Sequence, residues 1–206
     1  METELEHASA TLAEASAAVV VLDPELRAAW TGARLCGPAF TVQGESGDNL
    51  ALHRAILQAP VGHVIVADVG GGTFGHWGEV LTVAALHRGI AGLLIDGGVR
   101  DKTALNELAF PVFSRNDTIT GTRKRFPGVL GRSISLAGAQ IHTGDYVVGD
   151  ADGCVVIPAA ALGDTLARAD ERVRREEKIL GQIRRGQTTM ELYGLPVSDA
   201  ADTNVL

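Results

Sequence analysis

Two short apolar runs constrain this chain more than anything else in it. Residues 63–69 read HVIVADV and residues 90–95 read IAGLLI. Both have the length and continuity of strands buried on both faces. Between them lie a Gly-rich loop, Gly70 to Gly75, and a stretch from Trp77 to Arg88 with apolar residues at Val80, Leu81, Ala84, Ala85 and Leu86. That spacing is helical, and Gly89 ends it. Strand, loop, helix and strand in this order predict parallel sheet with crossover helices. Asp96-Gly97-Gly98 then reads as a turn, Lys102 to Leu108 as a short helix, and Pro111 to Ser114 as the next strand.

The flanking segments extend the pattern. Residues 9–22 read as a helix, with Ser9 or Thr11 as its cap and Glu14 at capping-box distance from Thr11. Residues 38–43 read as a strand, Gly44 to Asp48 as a turn, and Asn49 to Gln58 as a short amphipathic helix. From Arg132 to Pro158 the rhythm changes to short strands split at Ala137-Gly138, Thr143-Gly144-Asp145 and Asp150 to Gly153, which read as hairpin-like connections. A long charged helix is expected over 159–185, with 186–206 as a loosely docked extension. With 206 residues, 46% of them apolar, and no repeat or low-complexity linker, the sequence fits one α/β domain over 1–206.

Charge and composition exclude several partners. A net charge of −7 gives no general attraction to nucleic acid, and no basic face suits a membrane surface. No apolar run approaches the ~20 residues needed to span a bilayer. The acidic N-terminus lacks the form of a signal peptide, so the cytoplasm is the expected location. Cys36 and Cys154 are far apart and outside any zinc-like cluster.

Gly70, Gly72 and Gly75 follow a strand as GxGxxG, and Asp96 ends the next strand. This is the surface form of a dinucleotide fingerprint and also suggests a methyltransferase. The third glycine should open a helix, but His76-Trp77-Gly78 follows it, and the hairpin-rich second half does not continue a βαβ series. A different constellation carries more chemistry. Gly78, Glu79, Val80 and Leu81 open a helix, so their amides lack intrahelical acceptors and form an anion cradle. The next strand leads to Arg100 and Asp101 at the same sheet edge. Arg100 offers two N–H donors to a carboxylate or oxo group, and Asp101 is a hard oxygen ligand for Mg2+ or Mn2+. The Arg-Asp pair also fits a helix-capping surface pair.

Residues 77–101, WGEVLTVAALHRGIAGLLIDGGVRD, resemble the signature of the RraA-like family. CGPAFTV (36–42), GDNLALHRAI (47–56), FPVFSR (110–115), GTRK (121–124), GDYVVGDADGCVVIP (144–158) and REEK (175–178) resemble further family segments in family order. That family includes 4-hydroxy-4-methyl-2-oxoglutarate/4-carboxy-4-hydroxy-2-oxoadipate aldolases and the regulator of ribonuclease E activity. The resemblance implies a swivelling β/β/α layered domain and a class II pyruvate aldolase with oxaloacetate decarboxylase activity. It implies that Arg100 and the Gly78 to Leu81 amides bind the pyruvyl group of a 2-oxo acid. Asp101 would hold the divalent metal, partly through water, and Glu79 would orient metal waters. Glu79 stands where the aldolases carry Asp, and Ala104 stands where they carry an acidic residue. The resemblance also implies a homotrimer or homohexamer with shared sites, which Glu176 or Glu177 of a neighbour would reach. A non-catalytic regulator acting through its surface is the alternative, and a methyltransferase a third reading.

Lesser candidates are His76, read as a loop residue that orders Trp77 or serves the site, and Asp48-Asn49, a helix cap or a rim of the site. Arg123-Lys124 is either solvated or a grip for a polyanionic substrate. Asp150 to Gly153 fails the calcium-loop spacing and reads as a turn.

Overall fold

The alternation of residues in the apolar runs decides which layer each side chain enters. The computed structural model describes residues 7–196. Helix α1 (Ser9–Ala15) leads to strands β1 (Val20–Val21), β2 (Arg27–Ala28) and β3 (Leu35–Gln43), then to α2 (Leu50–Gln58), β4 (Val64–Asp68) and β5 (Gly75–Trp77). Next come α3 (Glu79–His87), β6 (Gly92–Val99), α4 (Lys102–Glu107) and β7 (Val112–Asp117). The second half holds β8 (Val129–Leu130), β9 (Ile134–Leu136), β10 (Ala139–Ile141), β11 (Tyr146–Gly149), β12 (Cys154–Ile157), α5 (Leu162–Arg184) and α6 (Thr189–Tyr193).

The main sheet runs β1-β12-β11-β3-β4-β6-β7-β2, with β5 added beside β6 and β8 beside β3. Strands β3, β4, β6 and β7 are mutually parallel, and the β11–β12 hairpin joins antiparallel to β3. Ile65, Ala67, Leu93 and Ile95 point to the layer of Leu52, Ile56, Leu81, Ala85 and Leu105, supplied by α2, α3 and α4. Val64, Val66 and Leu94 point the other way, against Ile134, Leu136 and Ile141 of the two-stranded β9–β10 sheet. Both faces of the parallel strands are thus covered, as their unbroken apolar character requires. Helices α1 and α5 pack on the outer end, over Val148, Val155 and Ile157. No helix among the described residues is long and apolar enough to cross a membrane.

Several elements differ from the sequence reading. Helix α1 stops at Ala15 rather than reaching residue 22, because Ser16 is extended and Val20 and Val21 pair with Val156 and Val155. The β-branched valines gain more from that sheet edge than from further helix. Neither Ser9 nor Thr11 caps α1: Ala8 is its N-cap, and Asp150 accepts from the Ser9 amide (2.7 Å) and hydroxyl (2.6 Å). Asp96-Gly97-Gly98 does not turn the chain. Strand β6 runs through it to Val99, hydrogen-bonded to β5 on one side and β7 on the other. The two glycines serve close approach there, since a Cβ on Gly97 would lie 2.3 Å from Val69 and one on Gly98 2.5 Å from Thr118. Thr143-Gly144-Asp145 connects the small sheet to the large one rather than closing a hairpin. In the extension, a capping box between Thr188 and Glu191 starts α6, and residues 197–206 lie outside the described residues.

Candidate active site

The parallel strands β4 and β6 end at one edge of the sheet, where open α/β sheets place their ligands. A cleft at that edge is lined by Asn49, His53, Gly75, His76, Trp77, Gly78, Val80, Leu81, Arg100, Asp101 and Lys124, is open to solvent on one side, and has a volume of about 150 Å3. That volume admits only a molecule smaller than a drug-sized ligand. Gly78, Val80, Leu81, Arg100, Asp101 and His76, singled out from the sequence, all line it. Glu79 is exposed beside the cleft at the first turn of α3. Glu176 and Glu177 lie on α5 and do not line the cleft of their own chain; Glu176 pairs with Arg172 at 2.9 Å.

The α3 N-terminus is shaped by what precedes it. The Arg100 amide donates to the Trp77 carbonyl at 2.9 Å, which fixes the end of β6 against β5. The Trp77 indole stacks on Phe110 at 6.0 Å between centroids and donates to the Thr82 hydroxyl at 2.8 Å. The Thr82 hydroxyl in turn donates to the Gly78 carbonyl. Trp77 is therefore ordered by Thr82 and Phe110, not by His76. Gly78 is needed for contact: a Cβ there would sit 2.4 Å from Asp101 Oδ2 and 3.0 Å from Arg100 Cγ. The Glu79 amide donates to Asp101 Oδ2 at 3.1 Å, so one of the four cradle amides is occupied within the protein. The Val80 and Leu81 amides have no acceptor among the described residues and remain available to an anion.

Asp101 is held in the left-handed region (φ 59°, ψ 37°), where a side chain costs about 1–2 kcal/mol. It is the N-cap of α4 yet makes no side-chain cap hydrogen bond to that helix, so simple capping does not account for it. Its carboxylate faces Glu79 and lies 3.7 Å from Arg100 Nε, with both side chains close to half exposed. Strain spent on presenting an exposed carboxylate beside an arginine is an arrangement found at functional sites. Among the described residues no three His, Cys, Asp or Glu side chains converge to cage a metal ion. A lone, accessible carboxylate such as that of Asp101 fits the other mode, in which one protein oxygen would hold Mg2+ or Mn2+ and water would fill the remaining positions.

Behind the cleft, His76 is fully buried on β5 rather than in a loop, and its Nε2 accepts from the Gly47 amide at 3.1 Å. Burial pushes its pKa below the usual histidine value. The carbonyl of His76 accepts from Asn49 Nδ2, while Asn49 Oδ1 has no hydrogen-bond partner among the described residues. His53, one turn further along α2, also lines the cleft with Nε2 unpartnered, and burial followed by the nearby Lys124 charge lowers its pKa. Sequence reading did not reach His53. The i, i+4 spacing from Asn49 puts the two on one face of α2, but only the fold shows that this face borders the cleft. Asp96, the acid of the apparent dinucleotide fingerprint, is bound by Arg115 at 2.5 Å, and Gly75 opens a strand rather than a helix.

A parallel-centred sheet with a helix N-terminus, an arginine and a strained acid at its carboxyl edge defines an α/β protein with a polar cleft at that edge. The chain belongs to the RraA-like family (Aldolase/RraA), whose model matches residues 9–156. It is 41% identical over 145 residues to a protein of Halalkalibacterium halodurans named "Putative 4-hydroxy-4-methyl-2-oxoglutarate aldolase", which covers 70% of this chain and 69% of that one. An uncharacterized protein from Pseudomonas syringae pv. tomato str. DC3000 has the same fold, with a TM-score of 0.81 and 32% identity over 89% of this chain and 87% of that one. Streptomyces coelicolor RraAS2, described as an unusual member of the RNase ES inhibitor RraA family, matches with a TM-score of 0.69 and 25% identity over 80% and 85%.

Proposed function

We propose that this protein is a divalent-metal-dependent carbon–carbon lyase that cleaves 4-hydroxy-2-oxo diacids to pyruvate and decarboxylates oxaloacetate. The observation that carries the reading is the meeting of the α3 N-terminus, Arg100 and strained Asp101 in one cleft. The Val80 and Leu81 amides receive the substrate carboxylate, aided by the helix dipole. Arg100 grips the 2-oxo group and stabilises negative charge as it develops there. Asp101 holds the metal, which when bound supplies Lewis acidity toward the 2-oxo acid. Glu79 orients water at the mouth.

In the aldol substrate the C3–C4 bond breaks. Its electron pair moves into the pyruvyl fragment as an enolate, the C4 hydroxyl loses its proton, and C3 takes one up. Pyruvate and a second carbonyl compound leave. In oxaloacetate the same electron pair is released when the C4 carboxylate departs as CO2. The relative named as a 4-hydroxy-4-methyl-2-oxoglutarate aldolase supports this substrate class. The site works in a trimer or hexamer, where Glu176 or Glu177 of a neighbouring subunit closes it.

A panel of oxaloacetate and 4-hydroxy-2-oxo diacids, assayed for pyruvate, tests the reading. Release from both types is expected. No release from any of them, with Mg2+ or Mn2+ supplied, would instead favour a binding protein.

A further inference from the structure

The cleft carries a second cationic group that the chemistry above does not use. Lys124 lines it together with Asn49 and His53, away from the Arg100–Asp101 pair in the chain and supported by different elements. The loop that bears it is firmly built. Gly75 donates to the Thr120 carbonyl at 2.8 Å. The Arg123 amide donates to the Gly47 carbonyl at 2.8 Å, and the Arg123 carbonyl accepts from the Asn49 amide at 3.0 Å. The Arg125 amide donates to Asp48 Oδ2 at 2.6 Å. Asp48 is almost fully buried, so this anchor is not a surface accident. With the backbone of both its neighbours tied to the start of α2, Lys124 has its main chain fixed and its side chain on the cleft.

Lys124 also lacks a carboxylate. Arg123 pairs with Glu45, and Lys102 with Asp117, but Lys124 forms no ion pair among the described residues. His53 Nε2 beside it has no hydrogen-bond partner among the described residues. A cation and an unpartnered imidazole at the edge of an anion-binding cleft are complementary to a carboxylate.

We propose that Lys124, with His53, reads the second carboxylate of the substrate, remote from the 2-oxo acid end, and so sets selectivity for diacids over simple 2-oxo acids. This rests on the pyruvyl end binding at Arg100 as described above. Lys124 binds and selects; it takes no part in breaking the carbon–carbon bond.

The test is calorimetric binding of two probes, pyruvate and 2-oxoglutarate, to the full chain with Mg2+ present. Pyruvate fills only the Arg100 end, whereas 2-oxoglutarate adds a distal carboxylate. Lys124→Met, which keeps length and removes charge, is expected to weaken 2-oxoglutarate by about 10-fold or more, the scale of one charge-assisted hydrogen bond, and to leave pyruvate unchanged. Arg123→Gln, which removes a neighbouring charge outside the cleft, should change neither. Equal weakening of both probes by Lys124→Met, an equal effect of Arg123→Gln, or no effect on 2-oxoglutarate would each overturn the proposal while leaving the pyruvyl site standing. If the wild-type protein binds neither probe, the pyruvyl site itself falls and the proposal with it.

Discussion

At the scale of single residues, the site is a set of side chains whose positions cost something locally. Asp101 accepts a left-handed backbone, and Gly78 gives up a side chain so that Asp101 and Arg100 can lie against it. Arg100→Ala is expected to lower kcat by at least ~100-fold, as loss of an oxyanion donor does. Arg100→Lys should recover little, because the two-pronged guanidinium is lost. Steady-state pyruvate release on folded variants checks both, and a nearly active alanine variant would make the motif structural. Asp101→Asn keeps shape, tolerance of the left-handed region and an acceptor for the Glu79 amide. It should leave the melting temperature close to wild type while removing the response to metal. Gly78→Ala should do the converse of a core mutation. Its methyl group displaces Asp101, so activity falls while the hydrophobic layers stay intact.

Elements explain why some of this was legible in the sequence and some was not. The β4–loop–α3–β6 unit was readable because its apolar runs and helical spacing are local properties, which put the α3 terminus and Arg100-Asp101 at one sheet edge. Spacing alone left that pair open to a capping role, and the family resemblance singled it out. Continuation of β6 through Gly97 and Gly98 was not readable, because it depends on β5 and β7 lying on either side. His53 and the packing role of His76 depend on how α2 and β5 meet, which no local pattern encodes. That meeting has a pH signature. His76 and His53 both have pKa values below the ordinary 6.5 when folded, chiefly through burial. The unfolded chain therefore binds more protons than the folded one as pH falls below about 6.5, and stability declines there. The burial-lowered histidines contribute full stability above that value and lose it on acidification through the folded pKa values. Melting temperature measured from pH 7.5 to 5 should fall, and His76→Gln should flatten the slope even though it destabilises at neutral pH. An unchanged slope would remove His76 from this role.

For the whole molecule, the outer face of α3 is unfinished in a single chain. Val80 is 78% exposed at the mouth of the cleft, Val83 50% and Leu86 41%, and Leu57 and Val61 are exposed in the neighbouring α2 region. Apolar surface at the rim of a cleft is a common mark of contact between chains. Light scattering is expected to give a trimer or hexamer, and Val83→Asp to shift it toward smaller species with reduced turnover. Deleting 176–206 should lower assembly and activity together. A monomer with full turnover would show that each chain's site is complete alone. The chemistry of the cleft is tested by pyruvate release from oxaloacetate by wild type and Arg100→Ala, in EDTA and after return of Mg2+ or Mn2+. Release by wild type should stop in EDTA and resume with metal, while Arg100→Ala stays near the uncatalysed rate throughout. Undiminished release in metal-free buffer, or equal release by the two proteins, would contradict the mechanism.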